Sequence, residues 1–286
     1  MTVKSGWLTA AVLALMASAC STSKTATNAS TTTSTVTTAA SSTSTDPTPP
    51  PTSETTVSRP RSRPYPIGTT SVTLIDGSRP TISRGRTIAP SRTITTLVWY
   101  ADAPGRRPRI VFAHGFQVGP LPYAQLCETW AATGYVVAAP EFPLTDAAVA
   151  GAALDEADIE NQPADVRFVV ASLTSGGSLS DRIDGTRIAL AGHSDGAETA
   201  LATGVERGLA VRAIIALAVS PLPSGAVAAA PPLLVGQGDR DTINPPQLGQ
   251  TVYDQAGRPR YLLHLRGAGH CHRLPAPRPG LRSSNG

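Results

Sequence analysis

The stretch "RIALAGHSDGAETAL", Arg187 to Leu201, decides how the rest of the chain is read. Its first half is a nearly continuous apolar run, the mark of a strand covered on both faces. From Ser194 to Arg207 the spacing turns helical. Ser194 stands at the junction, between Gly192 and Gly196. A nucleophile at the tip of so sharp a strand-to-helix turn needs small neighbours two residues away on each side, because a Cβ there would crowd the bend. The pattern alone says little in a chain with 25 glycines. Its place after a strand and before a helix gives it meaning.

Working outward, short β-rich runs alternate with helical ones. Strands are expected at residues 71–75, 92–101, 109–114, 135–140, 187–192, 212–220, 232–238 and 260–267. The first two, joined through turn-forming Gly and Pro, suggest an antiparallel pair; the later ones read as parallel strands. Helices are expected over Tyr123–Ala132, Pro163–Leu173, Ser194–Arg207 and Pro246–Gln255. Pro163 and Pro246 fall in first turns, where a missing N–H costs little. The result is one α/β domain with an eight-stranded, mostly parallel sheet and helices on both faces.

A serine hydroxyl needs a base, and the base needs an anion to orient it. Both appear downstream of Ser194, each just past a strand. "GDRDTINP" follows the strand at 232–238, and "GAGHCH" follows the last strand. Asp241 is preferred as the acid, with Asp239 as the alternative. His270 is preferred as the base, because its Gly-rich loop can bend toward the serine, with His272 as the alternative. His193 is expected to pack beneath the turn, and His264 to face out of its strand. Acyl transfer also needs donors for a developing oxyanion. The backbone N–H of Asp195, at the start of its helix, and that of Phe116, in "AHGFQVG", stand in the right order along the chain. A His-x-His zinc pair at 270 and 272 lacks companion ligands, so no metal is expected.

The ends have a different composition. Lys4, the apolar run "GWLTAAVLALM" and the small residues "ASAC" read as an export signal over residues 1–19, too short to span a bilayer. The triplet before Cys20 resembles a bacterial lipobox, which makes Cys20 the expected site of lipidation and a membrane the expected partner through that anchor. Plain secretion is the alternative. Residues 20–60 are dominated by Ser, Thr, Ala and Pro, a tether that as a coil of roughly 40 residues would reach about 35 Å. The folded domain is expected over 61–273, and 274–286 is a Pro-rich tail. The net charge of +4 is spread over dispersed arginines without interleaved aromatics, which argues against nucleic acid. Cys127 and Cys271, an even pair in an exported chain, suggest a disulfide.

Strand-HGF, strand-GHSDG-helix, GxxDxxxP and GAGH, in the order Ser, Asp, His, together resemble the α/β-hydrolase superfamily over roughly residues 70–272. The run "FAHGFQVGPLPYAQLCETWAATGYVVAAPEFPLT" is similar to the dienelactone-hydrolase-like, chlorophyllase and platelet-activating-factor-acetylhydrolase-like branch, near the cutinase-type esterases. The resemblance implies hydrolysis of small or lipid-like carboxylic esters through an acyl-enzyme, without a cofactor. Ser194 would attack, His270 would carry the proton, Asp241 would orient His270, and the Phe116 and Asp195 amides would hold the oxyanion. A peptidase, an acyltransferase or a catalytically silent surface lipoprotein are the other readings of the same fold. In this fold the helix bearing Cys127 and the loop bearing Cys271 can approach, so a bridge there would steady His270. Three departures stand out. Asp195 puts a negative side chain near the site, which would discourage acidic substrates. The segment after His270 is Pro-rich and offers no closing helix. Only about a dozen residues (221–232) separate the sixth and seventh strands, so no lid is expected, and the open cleft would be lined by Phe116, the 141–162 loop and Leu222.

Overall fold

The computed structural model describes residues 64–177, 179–222 and 227–270. The expected signal, tether and C-terminal tail, and with them Cys20, Cys271 and His272, lie outside the described residues.

Among the described residues, ten strands and five α-helices are formed. The strands are β1 (Ile67–Asp76), β2 (Thr81–Ser83), β3 (Arg86–Ala89), β4 (Arg92–Ala101), β5 (Arg107–Ala113), β6 (Val136–Pro140), β7 (Ile183–His193), β8 (Val211–Leu217), β9 (Leu233–Gly238) and β10 (Arg260–Leu265). The helices are α1 (Ala124–Ala132), α2 (Ala147–Ala150), α3 (Gln162–Ser172), α4 (Asp195–Val205) and α5 (Pro246–Gln255). Eight strands make one sheet in the order β1-β4-β6-β5-β7-β8-β9-β10. β4 runs antiparallel to both of its neighbours, and every pair from β6 to β10 is parallel. This is the α/β-hydrolase arrangement. Residues 218–232 join β8 to β9 without a helix among the described ones.

The apolar runs are continuous because the sheet is buried on both sides, and the two-residue repeat sorts them. Val111 and Ala113 of β5 face one cluster with Leu190, Ile214 and Val235, covered by Val166, Ala200, Leu201 and Val252 of α3, α4 and α5. Ile110 and Phe112 of the same strand face the other, with Ala191, Ile215 and Trp99, covered by Cys127 and Trp130 of α1. Burial of such side chains contributes roughly 1.5 to 3 kcal/mol each.

A second sheet, the β2–β3 hairpin, was not expected from the sequence. It turns on Arg84 and Gly85, both at positive φ (49° and 74°), the backbone that suits a tight two-residue hairpin. Arg92 of β4 pins the segment before α3 to the sheet. Its guanidinium is fully buried and donates to both oxygens of Asp158 and both of Asp165 at 2.6 to 2.9 Å.

Candidate active site

The site forms where β5, β7, β8 and β9 end. At the end of β7 the chain reverses into α4, and Ser194 takes φ 56° and ψ −125°, a conformation costly for a residue with a side chain. The flanking glycines make it feasible. A Cβ on Gly192 would collide with the carbonyl of Gly196, and one on Gly196 with the carbonyls of Ala113 and His114. The Ser194 N–H donates to the Leu217 carbonyl of β8 at 2.9 Å, which fastens the bend to the sheet.

Ser194, His270 and Asp241 are brought together. His270 Nδ1 donates to Asp241 Oδ2 at 2.8 Å, and His270 Nε2 lies 3.2 Å from Ser194 Oγ. With Nδ1 carrying the proton, Nε2 is an acceptor, so the hydroxyl donates to it. Asp241 is held by three further donors. Its Oδ1 accepts the backbone N–H of Ile243 and of Asn244 at 3.0 and 2.9 Å, and Oδ2 accepts Gln237 Nε2 at 3.2 Å. These bonds satisfy both carboxylate oxygens in a buried place. Asp239, the alternative acid, instead accepts the Gly267 N–H at the surface, a loop-fastening role. His272, the alternative base, lies outside the described residues.

Phe116 and Asp195 both line the cleft that opens onto Ser194. Among the described residues neither amide donates a hydrogen bond within the protein. The peptide before Phe116 is clamped at its oxygen: His114 Nδ1 donates to the Gly115 carbonyl at 2.9 Å, while His114 Nε2 accepts the Phe142 N–H at 3.1 Å. Because C=O and N–H of a trans peptide point opposite ways, holding that oxygen aims the Phe116 N–H. Burial pushes the His114 pKa down, which keeps the neutral ring that both bonds require.

The cleft has a volume of about 740 Å³. Its wall is apolar at Phe116, Val118, Pro122, Ile159, Pro221 and Ile243, and acidic at Glu156, Asp195 and Glu198. Burial, then the charges of Asp195 and Glu156, push the Glu198 carboxyl up. Asp195 Oδ1 accepts Ser220 Oγ at 3.0 Å. As expected, the 141–162 loop contributes to the wall, through Glu156 and Ile159. Leu222 does not: it packs against the core, and its neighbours Ser220 and Pro221 take the place assigned to it. His264 is exposed on β10, as expected.

Of the two cysteines expected to pair, Cys271 lies outside the described residues. Cys127 is a free thiol on the core side of α1, with no exposure, and burial pushes its pKa up. A thiol packed there among Phe112 and Trp130 serves as core. Asn244, not singled out from the sequence, donates its Nδ2 to the Ala218 carbonyl at 2.7 Å and lies 3.4 Å from Ser194 Oγ. Its sequence signal is its place three residues after Asp241.

Comparison with known proteins bears on the fold first. A ferulic acid esterase from Streptomyces cinnamoneus is similar in structure, with a TM-score of 0.59 and 22% identity over 75% of this chain and 77% of that one. No curated protein matches. The sequence model of the chlorophyllase family matches residues 65–238, which take in Phe116, Ser194 and Asp195 and stop short of Asp241 and His270. The chain belongs to the chlorophyllase family, an esterase-like branch of the α/β hydrolases.

Proposed function

We propose that the protein is a serine hydrolase that cleaves carboxylic esters through an acyl-enzyme. One observation carries the reading: the His270 ring spans Asp241 and Ser194 with both nitrogens at hydrogen-bond distance. In the first half-reaction Ser194 Oγ attacks the ester carbonyl carbon as its proton passes to His270 Nε2. The carbonyl oxygen becomes an oxyanion, met by the Phe116 and Asp195 amides, each worth about 3 to 4 kcal/mol at the transition state. Asp241 stabilises the imidazolium. As the tetrahedral adduct collapses, the C–O bond to the alcohol breaks and His270 returns the proton to the leaving oxygen. Water then attacks the acyl-serine, His270 takes its proton, and the acid leaves as Ser194 recovers its hydrogen.

The open cleft and its apolar wall suit bulky or lipid-like esters, and its three carboxylates favour neutral over anionic ones. Fluorophosphonate labelling tests the nucleophile: the protein should be labelled and Ser194→Ala should not. Labelling that survives the substitution refutes the assignment. Hydrolysis of p-nitrophenyl esters of rising chain length tests the cleft, where a sharp preference for acetate counts against bulky substrates. The reading includes export and lipidation at Cys20, supported by the residues before it. Palmitate incorporation lost in Cys20→Ser is the expected result, and incorporation that persists rules it out.

A further inference from the structure

His193 precedes Ser194 in the chain, and its side chain joins a buried hydrogen-bond chain. Its Nε2 lies 3.0 Å from the backbone carbonyl of His270. A carbonyl only accepts, so Nε2 carries the proton. In the neutral ring Nδ1 is then an acceptor, and the Tyr123 hydroxyl donates to it at 2.9 Å. The Tyr123 oxygen in turn accepts the Gly115 N–H at 3.3 Å. The chain of donors runs from Gly115 through Tyr123 to His193 and ends on the His270 carbonyl.

Two loops that are far apart in sequence thereby share one strut. At one end is the 114–116 turn, which carries the Phe116 amide; at the other is the backbone of the residue whose ring faces Ser194. The imidazoles of His193 and His270 also pack together, with centroids 4.8 Å apart. Tyr123 is buried against Phe112 at 4.7 Å, so its hydroxyl is itself fixed by the core. The strut therefore has a rigid foot.

We propose that His193 is a positioning residue: it sets the distance between the base-bearing loop and the oxyanion turn, and so holds His270 Nε2 on Ser194 Oγ. This rests on the esterase reading above. Misplacing a catalytic group by about 1 Å costs on the order of 100-fold in rate, and a ring without its N–H releases the His270 carbonyl while still filling the space.

The test compares His193→Phe, His193→Gln and Tyr123→Phe with the parent and with Ser194→Ala, using p-nitrophenyl butyrate and a thermal melt of each. His193→Phe should lower kcat about 10- to 100-fold with KM within about threefold, because the hydrogen bonds it removes position the reacting groups, while the phenyl ring still fills the part of the cleft wall that His193 lines. His193→Gln places an amide N–H where Nε2 stood and should regain most of that loss. Tyr123→Phe should fall between. The proposal is overturned if His193→Phe keeps kcat within about threefold of the parent, if the loss appears in KM, or if His193→Gln is as slow as His193→Phe. Should His193→Phe not fold, an unchanged kcat in Tyr123→Phe overturns it, and a reduced one with His193→Gln active supports it. Activity that survives Ser194→Ala sinks the esterase reading itself, a result distinct from all of these.

Discussion

Asp241→Asn separates orientation from charge at the site. The Asp241 carboxylate accepts four hydrogen bonds, two at each oxygen. Asparagine has one oxygen, and the Ile243 and Asn244 amides claim it, because a backbone N–H can only donate. The amide NH₂ then faces His270 Nδ1 and Gln237 Nε2. His270 relieves its conflict by moving its proton to Nε2, so that Nδ1 accepts from the new amide. The proton now points at Ser194 Oγ, and the base is already occupied. The expected loss in kcat is about four decades, or about 5.5 kcal/mol at about 1.4 kcal/mol per decade. Gln237 cannot be satisfied in either rotamer: turning its oxygen to the new NH₂ removes its donor from the Asn244 carbonyl. A stability loss of about 1 to 3 kcal/mol follows. Burst and steady-state kinetics on a p-nitrophenyl ester, with a melt beside them, measure both. Asp239→Asn is the control, since an amide oxygen serves the Gly267 N–H as well as a carboxylate does. If Asp241→Asn stays within tenfold of the parent, or Asp239→Asn matches its loss, the tautomer argument is wrong.

The remaining predictions concern the bend, the buried ion network and the cleft charge. Gly196→Ala drives a Cβ into two backbone carbonyls; a loss of about 3 kcal/mol, seen calorimetrically as a fall of about 6 to 12 °C in Tm, is expected together with lost activity, and an unchanged melt would contradict the packing argument. Arg92→Met takes the buried Asp158 away from its arginine and leaves Asp165 with Arg79 alone, and should cost about 3 to 5 kcal/mol near neutrality. Burial already holds the Asp165 pKa up, against the opposing pull of Arg92. An acid with a raised folded-state pKa loses stability as pH rises through it, so the deficit should narrow between about pH 7 and about pH 4 in denaturant melts; a deficit that widens under acid refutes this. Glu198→Gln removes a charge from the cleft wall worth roughly 1 kcal/mol. It should raise kcat/KM for a hemisuccinate ester about fivefold relative to its neutral methyl ester. That gain should fade as pH falls through the raised Glu198 pKa, and an equal change for both esters would rule out the charge effect.

Legibility followed the strength of the local signal. β4 was bounded to the residue, because the run from Arg92 to Ala101 alternates or stays apolar throughout and is flanked by turn residues. α5 was bounded equally well, since Pro246 starts it. The β2–β3 hairpin escaped because Arg84 takes a positive φ that nothing in its side chain announces. Ser194, Asp241 and His270, to which the proposed function gives the roles of nucleophile, acid and base, stood out in the sequence through their position after strands, a rule of topology and not of composition. Asp241 and Asp239 differ by two residues in one loop, and only their partners in space, His270 and the Gly267 amide, separate them. The parts that stayed hidden act through backbone atoms. His114, His193 and Asn244 each fasten a carbonyl, of Gly115, His270 and Ala218, and no pattern of side-chain types encodes which carbonyl a polar group will find.

Those hidden contacts explain how strained backbone persists at Ser194. A residue such as Ser194 at positive φ costs on the order of 1 to 3 kcal/mol, and Ala218, next to the carbonyl that receives the Ser194 N–H, also lies at positive φ (47°). Two strained residues meet at the end of β8, and each is tied to another strand. Ala218 donates to the Gly236 carbonyl of β9 at 2.9 Å and its own carbonyl takes the Asn244 side chain. Asn244 in turn donates its backbone N–H to Asp241. The loop that carries Asp241 therefore also braces the bend that presents Ser194, and relaxation at either end would have to break buried hydrogen bonds at the other. Pre-organisation here resides in the connection between loops, with the sheet edge as its common anchor.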